Sequence, residues 1–308
     1  MAKIDVAIGV VRDRAGRVLI SKRKSDTHQG GLWEFPGGKI EQSENDEQAL
    51  NRELFEELNI RVINSSPLIK INFSYPDLIV QLHVREVYGF DGEVFGREGQ
   101  RFKWVALHEL SDYEFPAANK PILTAIKLEQ HYAIIGGNNT REILLELDNV
   151  WKQGVGLIQI RAKELCAADA EEALEVVRGK CKELNMTYLI NSQMPVKRYL
   201  DEGVHLTSAD LKLLNQRPQS SGYVAASCHN LQELYKAEQM ALDFAVLSPV
   251  MPTSSHPEAK ALGWQQFKEW VTKVNIPVFA LGGISRQDFK KALACGAQGV
   301  SGISLYKG

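Results

Sequence analysis

Cysteine is scarce. The chain has four (Cys166, Cys181, Cys228 and Cys295), all in its second half and none in a CxxC pair. That usage leaves no disulfide framework and predicts reduced thiols in a cytoplasm. Long apolar runs are missing as well. No stretch approaches the length needed to cross a bilayer, so no membrane partner is expected. The N-terminus, MAKIDVAIGVVRDR, has no long apolar run before its charges and does not read as a signal peptide. Nor is there an excess of one charge: charged residues make up 24% of the chain and nearly cancel, to a net charge of -2. A surface that tracks a nucleic-acid polymer needs a basic excess, so that class of partner is not expected. What the chain does have is length, since 308 residues predict two domains, each able to bury its own core.

The first half is organised around Gly37–Ile60, GGKIEQSENDEQALNRELFEELNI. Glu53, Glu56 and Glu57 stand at spacings that share one face of a helix. Like charges so placed repel, and a divalent cation supplies a reason to stack them. Hard oxygen ligands suit Mg²⁺ or Mn²⁺, and Mg²⁺ usually bridges a few carboxylates to substrate phosphates. Asn45 with Gln48 is an N-cap signal, and Asn59 sits where a helix C′ residue tolerates the left-handed conformation. Around this helix, residues 4–11 and 17–22 predict a hairpin across the turn-like Asp13–Gly16, and strand-like runs follow at 61–71, 79–88 and 102–107. Pro36-Gly37-Gly38 should break a strand and let backbone approach a ligand or metal.

Spaced as G-x5-E-x7-R-E-L-x-E-E-x-N-I, residues Gly38, Glu44, Arg52, Glu53, Glu56, Glu57 and Ile60 resemble the Nudix box, with Asn59 where that family usually has Gly. KRKSDTHQGGLWEFPGGKIE, GREGQRFKW and EFPAANKP resemble the MutT-type branch, which hydrolyses oxidised purine nucleoside triphosphates. The resemblance implies a mixed sheet flanked by helices over residues 1–128. It implies a Mg²⁺ or Mn²⁺ cluster of Glu53, Glu56, Glu57, Glu98 and the Gly37 carbonyl. Glu53 or Glu98 would be the general base, and Arg52 would hold the helix by pairing with Glu44. Arg23 would contact phosphate, while His28, Phe35 and Asn119 would line the base and sugar pocket. Leu78 stands where family members often carry a basic residue.

From about residue 130 the rhythm changes to short apolar strands alternating with helices. Strands at 132–136, 156–162, 187–191, 203–206, 223–228, 244–250, 277–282 and 299–303 predict a (β/α)₈ barrel over residues 129–308. The helix expected after the eighth strand is absent, so either the barrel is left open or another surface covers the gap. The strand ends, from QIRAK through SPVMPTSSH to SGIS, resemble in order those of thiamine-phosphate synthase. That resemblance implies that Gln159, Arg161, Lys163 and Asn191 contact a pyrimidine diphosphate and that Asp210 is a metal ligand. Ser227, Thr253 and Ser255 would be polar contacts, and Gly283, Ile303 and Ser304 would hold a phosphate. Ser192 replaces the family's second metal-binding Asp, His256 replaces a Lys, and Thr207 and Ser208 replace Gly and Gln.

The favoured function is a Mg²⁺-dependent pyrophosphohydrolase that clears 8-oxo-dGTP from the nucleotide pool, with a nucleotide as its small-molecule substrate. The barrel is expected to bind a phosphorylated small molecule with reduced or no synthase activity. Two alternatives stand beside this: hydrolysis of a thiamine-pathway diphosphate coupled to the barrel, or a barrel acting as a phosphate-ligand sensor.

Overall fold

Alternation along the first strand sets the layers of the N-terminal half. In β1 (Ala2–Val11) the buried Ala7 and Val11 face Leu50, Leu54 and Leu58 of α1 (Asp46–Leu58), while Ile8 and Val10 face the opposite side, toward Phe35 and Ile122. Gly9 lies on the α1 side, where an added Cβ would stand 3.0 Å from a Leu50 methyl, so the helix packs directly onto bare backbone. The computed structural model describes residues 2–23, 30–74, 78–97, 99–196, 202–253 and 258–307. The chain divides into two compact units, Met1–Lys127 and Leu128–Gly308.

In the first unit β1 lies between β4 (Gly37–Lys39) and β6 (Leu78–Asp91), with β5 (Arg61–Ser74) beyond β6. The β1–β6 pair is parallel and its neighbours are antiparallel, giving the mixed sheet. The hairpin expected between residues 4–11 and 17–22 is replaced by something else. Both edges of β1 are taken, so β2 (Val18–Lys22) pairs instead with β3 (Trp33–Glu34) and β7 (Phe102–Val105) in a separate antiparallel sheet. An isolated bridge from Arg12 to Val18 links the two strands, and the Asp13 carboxylate closes the turn by accepting from the backbone of Ala15 and Arg17. Of the break expected at Pro36-Gly37-Gly38, only Pro36 falls between strands: Phe35-Pro36 carries the chain from β3 in one sheet to β4 in the other, and Gly37 and Gly38 pair with β1. A short helix, α2 (Lys120–Ala125), ends the unit.

The second unit is a closed barrel of eight parallel strands. They are β8 (His131–Ile135), β9 (Leu157–Ile160), β10 (Thr187–Asn191), β11 (Gly203–Leu206), β12 (Val224–Cys228), β13 (Phe244–Leu247), β14 (Val278–Leu281) and β15 (Gly299–Gly302). Outside them run α3 (Thr140–Lys152), α4 (Ala167–Glu183), α5 (Ser208–Leu213), α6 (Leu231–Gln239), α7 (Gly263–Val271) and α8 (Phe289–Ala294). Tyr132, Leu157, Leu189, Phe244, Val246 and Phe279 fill the interior, as inward-pointing layers do in this architecture. After β15 the chain packs back against the first barrel helix. A 3-10 turn, Ser304–Tyr306, buries Tyr306, whose carbonyl accepts from Asn149 and Gln153 of the first barrel helix and the residue after it at 2.9 and 2.8 Å.

Candidate functional sites

Helix α1 starts and stops where its ends are satisfied. Asn45 accepts from the backbone of Glu47 and Gln48 while the Gln48 side chain returns to the Asn45 backbone, completing a capping box. Asn59 ends the helix at φ 59° and ψ 27°, the left-handed conformation that Asn tolerates. Between these caps Arg52 is the hub. It donates to both oxygens of Glu44 (2.6 and 3.2 Å) and to the Lys39 carbonyl (2.9 Å). One of its nitrogens, Nη1, also reaches Glu53 (2.8 Å) and Glu56 (3.3 Å). Arg52 thus pairs with Glu44 as expected, and it draws two of the acidic face's carboxylates onto one positive atom. Hydrogen bonding to Arg52 holds the Glu44 carboxyl below its ordinary range, and the same contacts raise Arg52.

Gly37 and Gly38 explain the close approach. A Cβ at Gly37, where φ is 147°, would stand 2.1 Å from the Ala7 carbonyl oxygen, and one at Gly38 would stand 2.2 Å from the Glu53 carboxyl carbon. The Glu53 carboxylate therefore rests on the backbone of β4. Glu57 is at the last turn, where its carbonyl accepts from the backbone of Arg97 (2.9 Å) and from Gln100 Nε2 (3.0 Å). Among the described residues, no three acidic side chains converge into a group that would hold a metal ion. Arg52 occupies the position between Glu53 and Glu56, and Glu98 lies outside the described residues, as do His28, Ser255 and His256.

The remaining described residues expected in this half are Arg23, Phe35 and Asn119. Arg23 pairs with Glu34 on the neighbouring strand, and burial pushes the Glu34 carboxyl up even though Arg23 pulls the other way. Phe35 is 1% exposed and stacked on Phe115 at 5.5 Å, so its ring is part of the core. Asn119 is 4% exposed and stands at the N-terminal end of α2 without capping it through its side chain.

At the barrel mouth the altered positions meet. Asp210 Oδ2 accepts from Ser192 Oγ (2.5 Å) and Thr207 Oγ1 (2.7 Å), while Thr207 Oγ1 caps α5 by accepting from the Asp210 backbone. Gln193 reaches Thr207 at 3.5 Å and receives Lys163, extending the chain of bonds to the end of β9. Burial and then Arg161 lower the Lys163 pKa. Arg161, Lys163 and Ile303 share a cavity of about 540 Å³ with Gly136, Gly137 and Lys307. Gln159 and Asn191 are buried at 2% exposure, and Asn191 accepts from the Gln193 backbone. Ser227 Oγ lies 2.9 Å from Nε2 of the buried His205, whose Nδ1 is 3.0 Å from the Tyr132 hydroxyl. Gly283, with φ 65°, packs its Cα against the Pro252 carbonyl oxygen, 2.2 Å from where a Cβ would be. Ser304 opens the closing 3-10 turn, and Thr253 is half-buried. His205 and the Gly136-Gly137 pair were not singled out from the sequence. The second had a signal, a Gly-Gly directly after the first barrel strand.

Residues 131–305 match the family described as Thiamine monophosphate synthase, and residues 7–125 match the NUDIX domain family. The 8-oxo-dGTP diphosphatase of Escherichia coli (strain K12) is 38% identical over 127 residues, which are 41% of this chain and 98% of that protein. The chain belongs to both families. The Haemophilus influenzae 8-oxo-dGTP diphosphatase is 38% identical over 128 residues, 42% of this chain and 94% of its own. For the barrel, the thiamine-phosphate synthase of Bacillus licheniformis is 31% identical over 181 residues, 56% of this chain and 81% of that enzyme. The N-terminal domain is thus a Nudix hydrolase similar to 8-oxo-dGTP diphosphatases, joined to a thiamine-phosphate synthase-like barrel.

Nudix hydrolases need a divalent metal, and the donor set of this domain fits one. Glu53 and Glu56 are hard oxygen ligands that already converge on a single cationic nitrogen beside the Gly37–Gly38 backbone. The barrel does not offer the same. Its one remaining carboxylate of the expected pair, Asp210, is engaged by two hydroxyl donors. No helix among the described residues is long and apolar enough to cross a membrane.

Proposed function

We propose that the N-terminal domain is a Mg²⁺- or Mn²⁺-dependent pyrophosphohydrolase that converts 8-oxo-dGTP to the monophosphate and pyrophosphate in the cytoplasm. The observation that carries this reading is the convergence of Glu53 and Glu56 on Arg52 Nη1, against the bare backbone of Gly38. Residues on both sides of Glu98 support it further, because Arg97 and Gln100 are tied to the Glu57 carbonyl at the end of the same helix. When bound, the metal would neutralise phosphate charge and lower the pKa of an attacking water. Glu53 or Glu98 then receives that water's proton, and Arg52 fixes the orientation of Glu53 and Glu56. Arg23 contacts phosphate, exchanging Glu34 for it. The buried Asn119 amide reads the base edge, where unpaired polar groups reject the wrong base. His28 completes the pocket, and the buried Phe35 backs it from the core.

For the barrel, the reading is a phosphate-ester binding module with little or no synthase activity. Its support is the tied-up Asp210 and the cavity at the Gly136-Gly137 backbone, whose lining includes Arg161, Lys163 and Lys307 alongside Glu142, Glu146 and Glu164. The pairing of the two families favours a second reading, in which the Nudix domain acts on a thiamine-pathway diphosphate. One experiment separates them: kcat/KM of the full chain over 8-oxo-dGTP, dGTP and thiamine-pathway diphosphates, with and without Mg²⁺. A preference for 8-oxo-dGTP supports the first reading. Equal kcat/KM for 8-oxo-dGTP and dGTP removes it, and preference for a thiamine-pathway diphosphate replaces it with the second.

A further inference from the structure

Lys22, Arg101 and Lys103 line a cavity of about 550 Å³ at the ends of β2, β3 and β7, with Trp33, Gln100 and Phe102 as its other walls. Both lysines are drawn to the same indole. Lys22 Nζ lies 5.9 Å and Lys103 Nζ 5.3 Å from the centre of the Trp33 ring, and Lys103 is also 5.2 Å from that of Tyr113. Cation–π attraction of this kind places an ammonium but does not cancel its charge. Among the described residues none of the three cations has a carboxylate partner, whereas the adjacent Arg23 is paired with Glu34. The chain as a whole carries a net charge of -2, so three uncompensated positive groups around one cavity are a local excess. They repel one another, and an anion of several charges seated between them removes the repulsion.

From this geometry we infer that the cavity is a diphosphate-binding site, distinct from the carboxylate cluster. Its ligand is either free pyrophosphate or the phosphate tail of a nucleotide. The cavity volume is in the range of small-molecule sites. Trp33 already has two ammoniums over its ring, so the ligand is read by charge and not by stacking a base. Lys22 and Lys103 grip the two phosphate groups as point charges, and the Arg101 guanidinium adds the donor geometry that suits phosphate oxygens. The site stands whether or not the Nudix domain hydrolyses 8-oxo-dGTP, because it uses none of the residues given a role in that reaction.

The test is a titration of the full chain with pyrophosphate in EDTA, which keeps metal and hydrolysis out of the measurement. The readout is the indole N–H resonance of Trp33, identified by its loss in Trp33→Phe, so that binding at the barrel does not register. A saturable shift is expected, with orthophosphate at least tenfold weaker and added salt weakening both. Lys22→Gln/Lys103→Gln raises the dissociation constant at least tenfold. Arg101→Gln, a single change at an exposed position, raises it severalfold and covers the case in which the double variant misfolds. The same shift with a non-hydrolysable nucleoside triphosphate identifies the phosphate tail as a ligand, and a shift with pyrophosphate alone identifies the free anion; either supports the site. No shift at millimolar pyrophosphate overturns it. So does an unchanged affinity in a folded double variant, or a loss of binding in Arg23→Gln while the Lys22/Lys103 variant binds normally.

Discussion

Arg52 illustrates what spacing in a sequence can and cannot reveal about a single side chain. Its pairing with Glu44 was legible, because both stand at fixed positions of a recognisable box. That the same guanidinium also gathers Glu53 and Glu56 was not, since helical spacing says which residues share a face but not which cation sits among them. Lys cannot reproduce a planar fork serving three carboxylates and a carbonyl. Arg52→Lys is therefore expected to cost about 10–100-fold in hydrolysis, as for residues that orient metal ligands, and about 1–2 kcal/mol of stability. Denaturant unfolding beside steady-state kinetics checks both. By contrast, Glu53→Gln should abolish turnover while leaving the fold intact, because the Gln carbonyl can still accept from Arg52 Nη1 while the charge needed for a metal-ligand or base role is gone. Comparable turnover at saturating metal would sink the Glu53 assignment. Phe35 and Asn119 are expected together in the base pocket, and both are buried in the fold. Phe35 stacks on Phe115 in the core, whereas the Asn119 side chain does not cap the helix it precedes. Asn119→Ala should then lower kcat/KM for 8-oxo-dGTP at least tenfold while leaving the melting temperature little changed, since the side chain makes no cap bond to α2. A marked loss of stability would show that the amide serves the fold.

At the scale of elements, the local signals were the readable ones. The caps of α1, the break at Pro36 and the eight strand positions all follow from residue chemistry over a few positions. Pairing partners were not readable, because a strand such as β1 offers the same alternation to any neighbour. The predicted hairpin therefore yields to two separate sheets. The inward face of a barrel strand is equally silent: GVHL reads as an apolar run, and nothing local shows that His205 points into the core. There burial lowers its pKa to about 3, with the Arg161 charge adding to the effect. The sign of the consequence follows from proton binding. Between about pH 6.5 and about 3 the unfolded chain protonates this imidazole and the folded barrel does not. Stability contributed by His205 is therefore full above that window and falls as pH falls through it, by up to about 1.4 kcal/mol per pH unit. His205→Gln keeps one donor group and one acceptor for Tyr132 and Ser227 while removing the titration. Amide exchange in β11 and β12, followed from neutral to acidic pH, should show a flatter acid limb in the variant. An identical slope would mean that His205 is not the buried neutral group.

For the whole molecule the question is which half depends on a divalent metal. Both families imply carboxylates around phosphate, yet this chain distributes them unequally. The Nudix domain concentrates Glu53, Glu56 and Glu57 on one helix, while the barrel has exchanged a carboxylate for Ser192 and tied Asp210 to two hydroxyls. The exchange was visible in the sequence as a departure. Its outcome was not, because Ser192 follows β10 while Thr207 and Asp210 follow β11, and only the pairing of those two strands brings them together. Chelation should therefore abolish hydrolysis and leave the thermal transition of the barrel unmoved. Ser192→Asp provides the converse. With Ser192 Oγ only 2.5 Å from Asp210 Oδ2, the variant sets two carboxylates against each other, which disfavours ionisation of both unless a cation joins them. In EDTA the barrel transition should drop by several degrees, for a loss of about 1–3 kcal/mol. Millimolar Mg²⁺ should restore it, because a ligand that binds only the folded state stabilises that state. Scanning calorimetry of both proteins, with and without Mg²⁺, measures this directly. If Mg²⁺ raises the wild-type barrel transition as much as it raises that of the variant, then the hydroxyl network around Asp210 has not replaced a metal site.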